Sequence, residues 1–210
     1  GDAWVKVSKH LLEHGVRVGN LTEELNVVTE ITEFKSDDWF DGHFREIMGD
    51  DRIDFAKTVT FLKPEQKKSD NPFFDAEEGL DYKFIKDHYH QSYWGRMVSW
   101  RGEFNQIENV IKILSTGKAV KRCELIIFDP TKDARNPYSQ PCMCMIDLKP
   151  RNGKLYLTSV LRSNRVSKSG YADYTALTEM GHFLSEQSGL ELGKVTTLAC
   201  SCHIGDMDSE

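Results

Sequence analysis

Two apolar stretches, 141–148 and 155–161, flank the tetrapeptide Pro150-Arg151-Asn152-Gly153. No other feature constrains this chain so strongly. Asn-Gly accepts the left-handed backbone of a tight turn, so the two stretches read as paired strands of one hairpin. The neighbouring patterns fix what surrounds it. Phe104, Ile107, Val110, Ile111 and Leu114 recur at helical spacing and predict a helix over 104–114, closed by Thr116-Gly117. A short apolar strand is expected at 125–128. A helix is expected over 174–187 with Leu177, Met180, Phe183 and Leu184 inward, stopping near Gly189, and a last strand over 195–202. Upstream, Trp4, Val7, Leu11 and Leu12 share one side of a helix over 3–14 that Gly15 stops, and Val27, Val28 and Ile31 suggest a strand. A further helix is expected over 53–62, ended by Pro64, and the polar segment 63–79 with its two prolines reads as a surface excursion. The sum is an α/β (α+β) fold with a large mixed sheet flanked by helices, one domain over 1–210.

Composition narrows the function classes. With 210 residues, 39% hydrophobic and 10% aromatic, the chain has enough apolar mass for a core, which argues against disorder. A net charge of −6 disfavours binding to a nucleic-acid polymer, while leaving room for a local basic site for one phosphate. No apolar run reaches the roughly 20 residues that span a bilayer, and the opening residues do not read as a signal peptide. Five cysteines, an odd number clustered late, fit a reduced, cytoplasmic protein.

The cysteines group as Cys142-Met143-Cys144 and Cys200-Ser201-Cys202-His203. On strands each pair would share a face, and with His203 the two pairs could form a thiolate zinc site. The spacing is not that of a zinc knuckle, and small buried hydrophobes account for most of them, so no metal is expected. Cys142 stands apart. It follows a turn-rich loop holding Asn136, Pro137 and Ser139, and it opens a strand, where a thiolate nucleophile could form beside positive charge. The hairpin brings Arg162-Ser163 back toward it. Arginine and serine suit a phosphate, although the same pair also serves as a solvated loop.

In order, Tyr93-Trp94-Gly95, a helix, Val120-Lys121-Arg122, Pro141-Cys142, Arg162-Ser163-Asn164, Asp173-Tyr174 and His203 resemble the landmarks of thymidylate synthase and the related pyrimidine-nucleotide hydroxymethylases. The resemblance is clearest over 93–203, and the segment His14-Gly15-Val16 resembles the family's opening. It implies the family's three-layer fold, a pyrimidine nucleoside monophosphate as substrate and a homodimer. It implies that Cys142 adds to C6 of the base, with Tyr93 beside the thiol. Arg162 and Ser163 would hold the 5'-phosphate, joined by Lys121 and Arg122 from a second copy, and His203 would meet the ribose. Asp173 falls where the synthases carry an asparagine that reads uracil, and the cytidylate hydroxymethylases resemble the chain more closely there. A carboxylate offers acceptors alone, which suits the N4 amino group and a protonated N3 of cytosine. As a helix N-cap ahead of Tyr174, Asp173 has a purely structural reading as well.

The implied activity is therefore one-carbon transfer to C5, read first as that of a cytidylate or deoxycytidylate hydroxymethylase, with 5,10-methylenetetrahydrofolate as donor. Several positions depart from the pattern. Asn20-Leu21-Thr22 replaces an early phosphate-loop arginine, with Arg17 displaced from it, and Lys57 falls where the family has a catalytic glutamate. Arg165, Ser169 and Ala172 replace folate-contacting residues, Met143 replaces a histidine, and Gly205 replaces a ribose-contacting tyrosine. The resemblance places the segment that closes over folate in the family beyond Glu210, the last residue of this sequence. The alternative reading is a nucleotide-binding homologue that works without folate, and in its extreme form without catalysis.

Overall fold

The structure is a computed structural model that describes residues 2–34, 93–135 and 140–205. The helix expected over 53–62, the excursion over 63–79, Lys57 and the loop residues Asn136, Pro137 and Ser139 lie outside the described residues.

Among the described residues seven strands form one mixed sheet in the order β1-β2-β7-β5-β4-β3, with β6 beside β7. They are β1 (Val16–Val18), β2 (Leu21–Ile31), β3 (Glu124–Ile126), β4 (Met143–Arg151), β5 (Lys154–Leu161), β6 (Asn164–Arg165) and β7 (Glu191–Gly205). The helices among the described residues are α1 (Asp2–His14), α2 (Tyr93–Val98), α3 (Gln106–Leu114) and α4 (Tyr171–Ser188). The β4–β5 hairpin turns at Asn152 and Gly153, whose φ angles of 52° and 76° are those of a primed turn. α4 then crosses over so that β7 lies parallel to β5, as a strand–helix–strand connection requires.

The core lies between one face of the sheet and the helices. Leu155, Leu157 and Leu161 of β5, Ile146 and Leu148 of β4 and Val195 of β7 pack on Met97, Ile107, Val110, Leu114, Leu177, Met180 and Leu184. A second cluster joins Val7 and Leu11 of α1 to Val166, Ala199 and Cys202. This is the α/β class expected, a large sheet with helices laid on it.

Several boundaries move, each for a local reason. α3 begins at Gln106 because Asn105 caps it, accepting from the Glu108 N–H, while Phe104 sits in a turn and is 49% exposed. β3 stops at Ile126 because the next two amides, Ile127 and Phe128, both donate to the Cys144 carbonyl at the bulge in β4. β2 and β7 are far longer than expected, since threonines on the buried side, Thr29 and Thr197, and apolar residues on the open side, Val28 and Leu198, hide the alternation. α4 starts at Tyr171, after a wide turn over Val166–Gly170, so Asp173 lies inside its first turn. The N-cap reading of Asp173 is thereby corrected.

The paired Cys-x-Cys faces are corrected too. Cys142 precedes β4, and on β7 Cys200 is exposed while Cys202 is buried. Opposite Cys200, Asn26 takes a left-handed backbone with φ 60°, and the ladder skips that step. All five cysteines are free.

Candidate active site

The turn before β4 places Cys142 against the end of β5. The Arg162 amide donates to the Cys142 carbonyl at 2.8 Å. Its side chain closes the same turn, Nε donating to the Pro141 carbonyl and Nη2 to the Gln140 carbonyl, each at 3.0 Å. The Gln140 side chain in turn donates to the Asp133 carbonyl at 3.0 Å. Arg162 is otherwise exposed, so its charge faces solvent at the rim beside the half-buried thiol. Burial pushes the Cys142 thiol above its ordinary value, and the Arg162 guanidinium pulls the other way. Burial thus favours the thiol over the thiolate, and the nearby guanidinium favours the thiolate.

Two further groups close on the sulfur from the helices. Tyr93 opens α2, and its hydroxyl accepts from the Met143 N–H at 3.3 Å while lying within hydrogen-bonding reach of the Cys142 thiol. Burial raises the phenol, and the neighbouring Asp173 and Cys142 charges raise it further. Asp173, 4% exposed, faces the same space from the first turn of α4. Burial lifts its carboxyl to about 7, against a hydrogen bond from the Ser169 hydroxyl. Ser169 thus supports Asp173, a role that no sequence signal marked. Next to it Tyr174 is raised to about 12 by burial, with the Thr29 hydroxyl opposing.

His203 stands on the long β7, with Glu23 beside it on β2 and Arg165 on β6. Ser201 Oγ donates to Glu23 and lies 3.4 Å from His203 Nδ1. Burial lowers the imidazole below its ordinary value, with Glu23 opposing and Arg165 adding to the effect. Sequence reasoning missed Glu23 and Ser201, since only the cross-strand register brings them to the histidine.

Cys142, Tyr93, Asp173, Arg162 and Ser163 therefore gather at one end of the β4–β5 hairpin. Lys121 and Arg122 do not join them. They precede β3, whose Glu124 pairs with Asp147, and the Val120 carbonyl accepts from Arg151 Nη1 at the far end of β4. At ~3.3 Å per strand residue they stand roughly 25 Å from Cys142 in the same chain. Among the described residues no group of three His, Cys, Asp or Glu side chains is placed to hold a metal ion. No helix among them is long and apolar enough to cross a membrane.

Comparison with known proteins gives a consistent result. The thymidylate synthase family model matches residues 52–209. A protein of Methanococcoides burtonii described as "putative thymidylate synthase" is 31% identical over 212 residues, covering 99% of this chain and 87% of its own length. A Methanosarcina mazei protein with the same description is 31% identical over 133 residues, 63% of this chain and 60% of its own. One from Methanothermobacter marburgensis is 22% identical over 99% of this chain and 90% of its own length.

Proposed function

Since the chain belongs to the thymidylate synthase family, we propose that it is a C5 one-carbon transferase acting on a pyrimidine nucleoside monophosphate, with Cys142 as nucleophile and a cytidylate as the base it reads. The observation that carries this reading is the convergence of Cys142, Arg162, Tyr93 and Asp173 at one end of the hairpin, drawn from four separate elements.

The chemistry follows from those groups. Arg162 and Ser163 sit one strand end from the thiol and offer a guanidinium fork and a hydroxyl to the 5'-phosphate. Cys142 Sγ forms a bond to C6 as the C5=C6 double bond opens, and the thiol proton passes to solvent. The electron pair moves through the ring toward N3 and C5. Asp173, with its carboxyl lifted to about 7, holds or gives a proton at little cost near neutrality. Paired with cytosine, it shares that proton with N3 while its other oxygen accepts from the N4 amino group. This refines the carboxylate pairing expected from sequence. C5 then takes a proton, or a one-carbon electrophile in its place. Loss of the original C5 proton and expulsion of Cys142 restore the ring.

Thymidylate synthases take their carbon from methylenetetrahydrofolate. The residues here do not match a folate held in the family's way. Arg165 brings donors where the family offers a carboxylate, Ser169 is committed to Asp173, and Ala172 is buried at 4% exposure. The donor to C5 is a one-carbon electrophile of the formaldehyde level. The relatives' description favours a second reading in which the base is uracil. A protonated Asp173 can donate to O4 and accept from N3–H, as an asparagine would.

The homodimer belongs to the same proposal. Lys121 and Arg122 can reach a phosphate at Cys142 only from another copy, given their distance within one chain.

The test uses nucleotides tritiated at C5. The protein is expected to release tritium from CMP or dCMP, and Cys142→Ala to abolish release while keeping nucleotide binding. Exchange that persists in Cys142→Ala removes the residue from the mechanism. Release from UMP or dUMP alone establishes the uracil reading. Binding without any release leaves the non-catalytic alternative.

A further inference from the structure

Arg165 and Gly205 each depart from the family pattern, at positions far apart in sequence, and the fold puts them in contact. A Cβ on Gly205 would lie 2.6 Å from Arg165 Nη2 and 3.2 Å from its Cζ and Nε. The guanidinium therefore fills the volume that a side chain at 205 would need. The Gly205 amide donates to Ser167 Oγ at 3.3 Å, which ties this end of β7 to the turn after β6.

The register places the neighbours. Arg165 pairs with His203 on one side of β7, and Glu23 pairs with His203 on the other. Glu23, His203 and Arg165 thus stand abreast on three adjacent strands, about 4.8 Å per step. Ser201 and Gly205 flank His203 two residues away along β7, and Ser201 donates to Glu23. Burial and the Arg165 charge, against Glu23, favour the neutral imidazole, which can donate at one nitrogen and accept at the other. The guanidinium beside it offers donors alone, in a planar fork. A group suited to both presents oxygens side by side.

Arg165 follows directly on Arg162-Ser163-Asn164, and it neighbours the histidine. If those residues hold the 5'-phosphate and meet the sugar, the sugar's hydroxyl edge falls toward Arg165. Ribose has adjacent 2'- and 3'-hydroxyls there, and deoxyribose has one.

We propose that Arg165, seated on Gly205 beside His203, is the residue that selects the sugar, holding the adjacent 2'- and 3'-hydroxyls of a pyrimidine ribonucleotide. This rests on the reading of the phosphate and ribose contacts above. Gly205 is part of the device, because any side chain there would push the guanidinium off its seat.

Calorimetric titration of the full chain with CMP, dCMP, UMP and dUMP tests it, using wild type, Arg165→Ala, Arg165→Lys, Gly205→Ala and Arg162→Ala. Wild type is expected to favour the ribonucleotide by about tenfold, the scale of a lost hydrogen-bonding partner at a built site. Arg165→Ala should weaken the ribonucleotide alone, so that the two sugars bind nearly equally. Arg165→Lys keeps the charge without the fork and should lose the preference too. Gly205→Ala, with the arginine intact but displaced, should lose part of it. Its backbone has no positive φ, so this variant keeps the test open should Arg165→Ala not fold. Arg162→Ala should weaken both sugars equally. A ribonucleotide preference unchanged in Arg165→Ala and Gly205→Ala, or a wild type that favours the deoxynucleotide, overturns the inference and leaves the phosphate reading standing. Failure of all four nucleotides to bind overturns both.

Discussion

Asp173 shows how far a single residue's chemistry depends on where the fold puts it. Its neighbours in sequence suggest a cap and the family resemblance implies a base reader, and neither suggests burial. The structure sets it inside α4 beside Cys142 and Tyr93, and burial raises its carboxyl to about 7. The folded value lies above the unfolded one near 4, so between them the native state binds more protons than the unfolded chain. Its contribution is most favourable below pH 4 and is lost as pH rises toward 7. Asp173→Asn should therefore be more stable than wild type at pH 8, by on the order of 3 kcal/mol, with the difference vanishing near pH 4. Urea midpoints at the two pH values check this, and an equal difference at both would refute it. The approach of Cys142 and Arg162 was legible in the sequence, because a tight turn fixes which strand residues oppose one another. Tyr93 entered only through the family resemblance. The Arg165–Gly205 contact was not legible at all, since it needs the parallel pairing of β6 with β7, which no local pattern encodes.

At the scale of elements, the nucleophile's turn is held by a network that begins on α2. Arg96 and Asp133 form a buried, two-pronged ion pair with N–O distances of 2.6 and 2.9 Å. Arg96 also donates to the Ile127 carbonyl, and the Asp129 amide donates to Asp133. Burial alone would raise the Asp133 carboxyl, but the Arg96 hydrogen bonds and the Asp129 amide hold it below its ordinary value. Gln106 on α3 adds bonds to the Arg96 carbonyl and to both backbone groups of Ile126. Gln140 then links Asp133 to the turn that Arg162 grips. Arg96→Met leaves a buried carboxylate without its partner and should cost about 3–5 kcal/mol. Arg96→Met/Asp133→Leu should recover most of that loss. Denaturant unfolding of both variants decides it, and a double variant no more stable than the single would show that the network's worth lies elsewhere. Helices α1, α3 and α4 were legible because an apolar stripe recurs every three or four residues, whereas the six-residue α2 is too short to show one. The long strands β2 and β7 were not, because buried Thr29 and Thr197 interrupt the core side while Val28 and Leu198 stand on the open one, which breaks the alternation that marks a half-buried strand.

For the molecule as a whole, the sheet's second face is the open question that the sequence left, and its register answers part of it. Val28, Leu198, Val160, Met145 and Ile126 line up in one row across β2, β7, β5, β4 and β3. Val28 is 59% and Ile126 41% exposed, so an apolar stripe crosses a face that the described helices do not cover. A second copy laid on this face would bury the stripe and carry its own Lys121 and Arg122 toward a neighbour's Cys142. Leu198→Glu should accordingly yield a monomer in sedimentation analysis. Sharing of the site has a sharper consequence. Cys142→Ser and Lys121→Ala/Arg122→Ala chains should each be inactive in tritium release. Mixed and allowed to exchange subunits, half the dimers should be hybrids, each with one intact site formed by Cys142 of one chain and the basic pair of the other. About a quarter of wild-type activity should return. Activity that stays absent in a mixture shown to contain hybrids would mean that Lys121 and Arg122 act on the chain that carries them, and the stripe would then owe its exposure to some other contact.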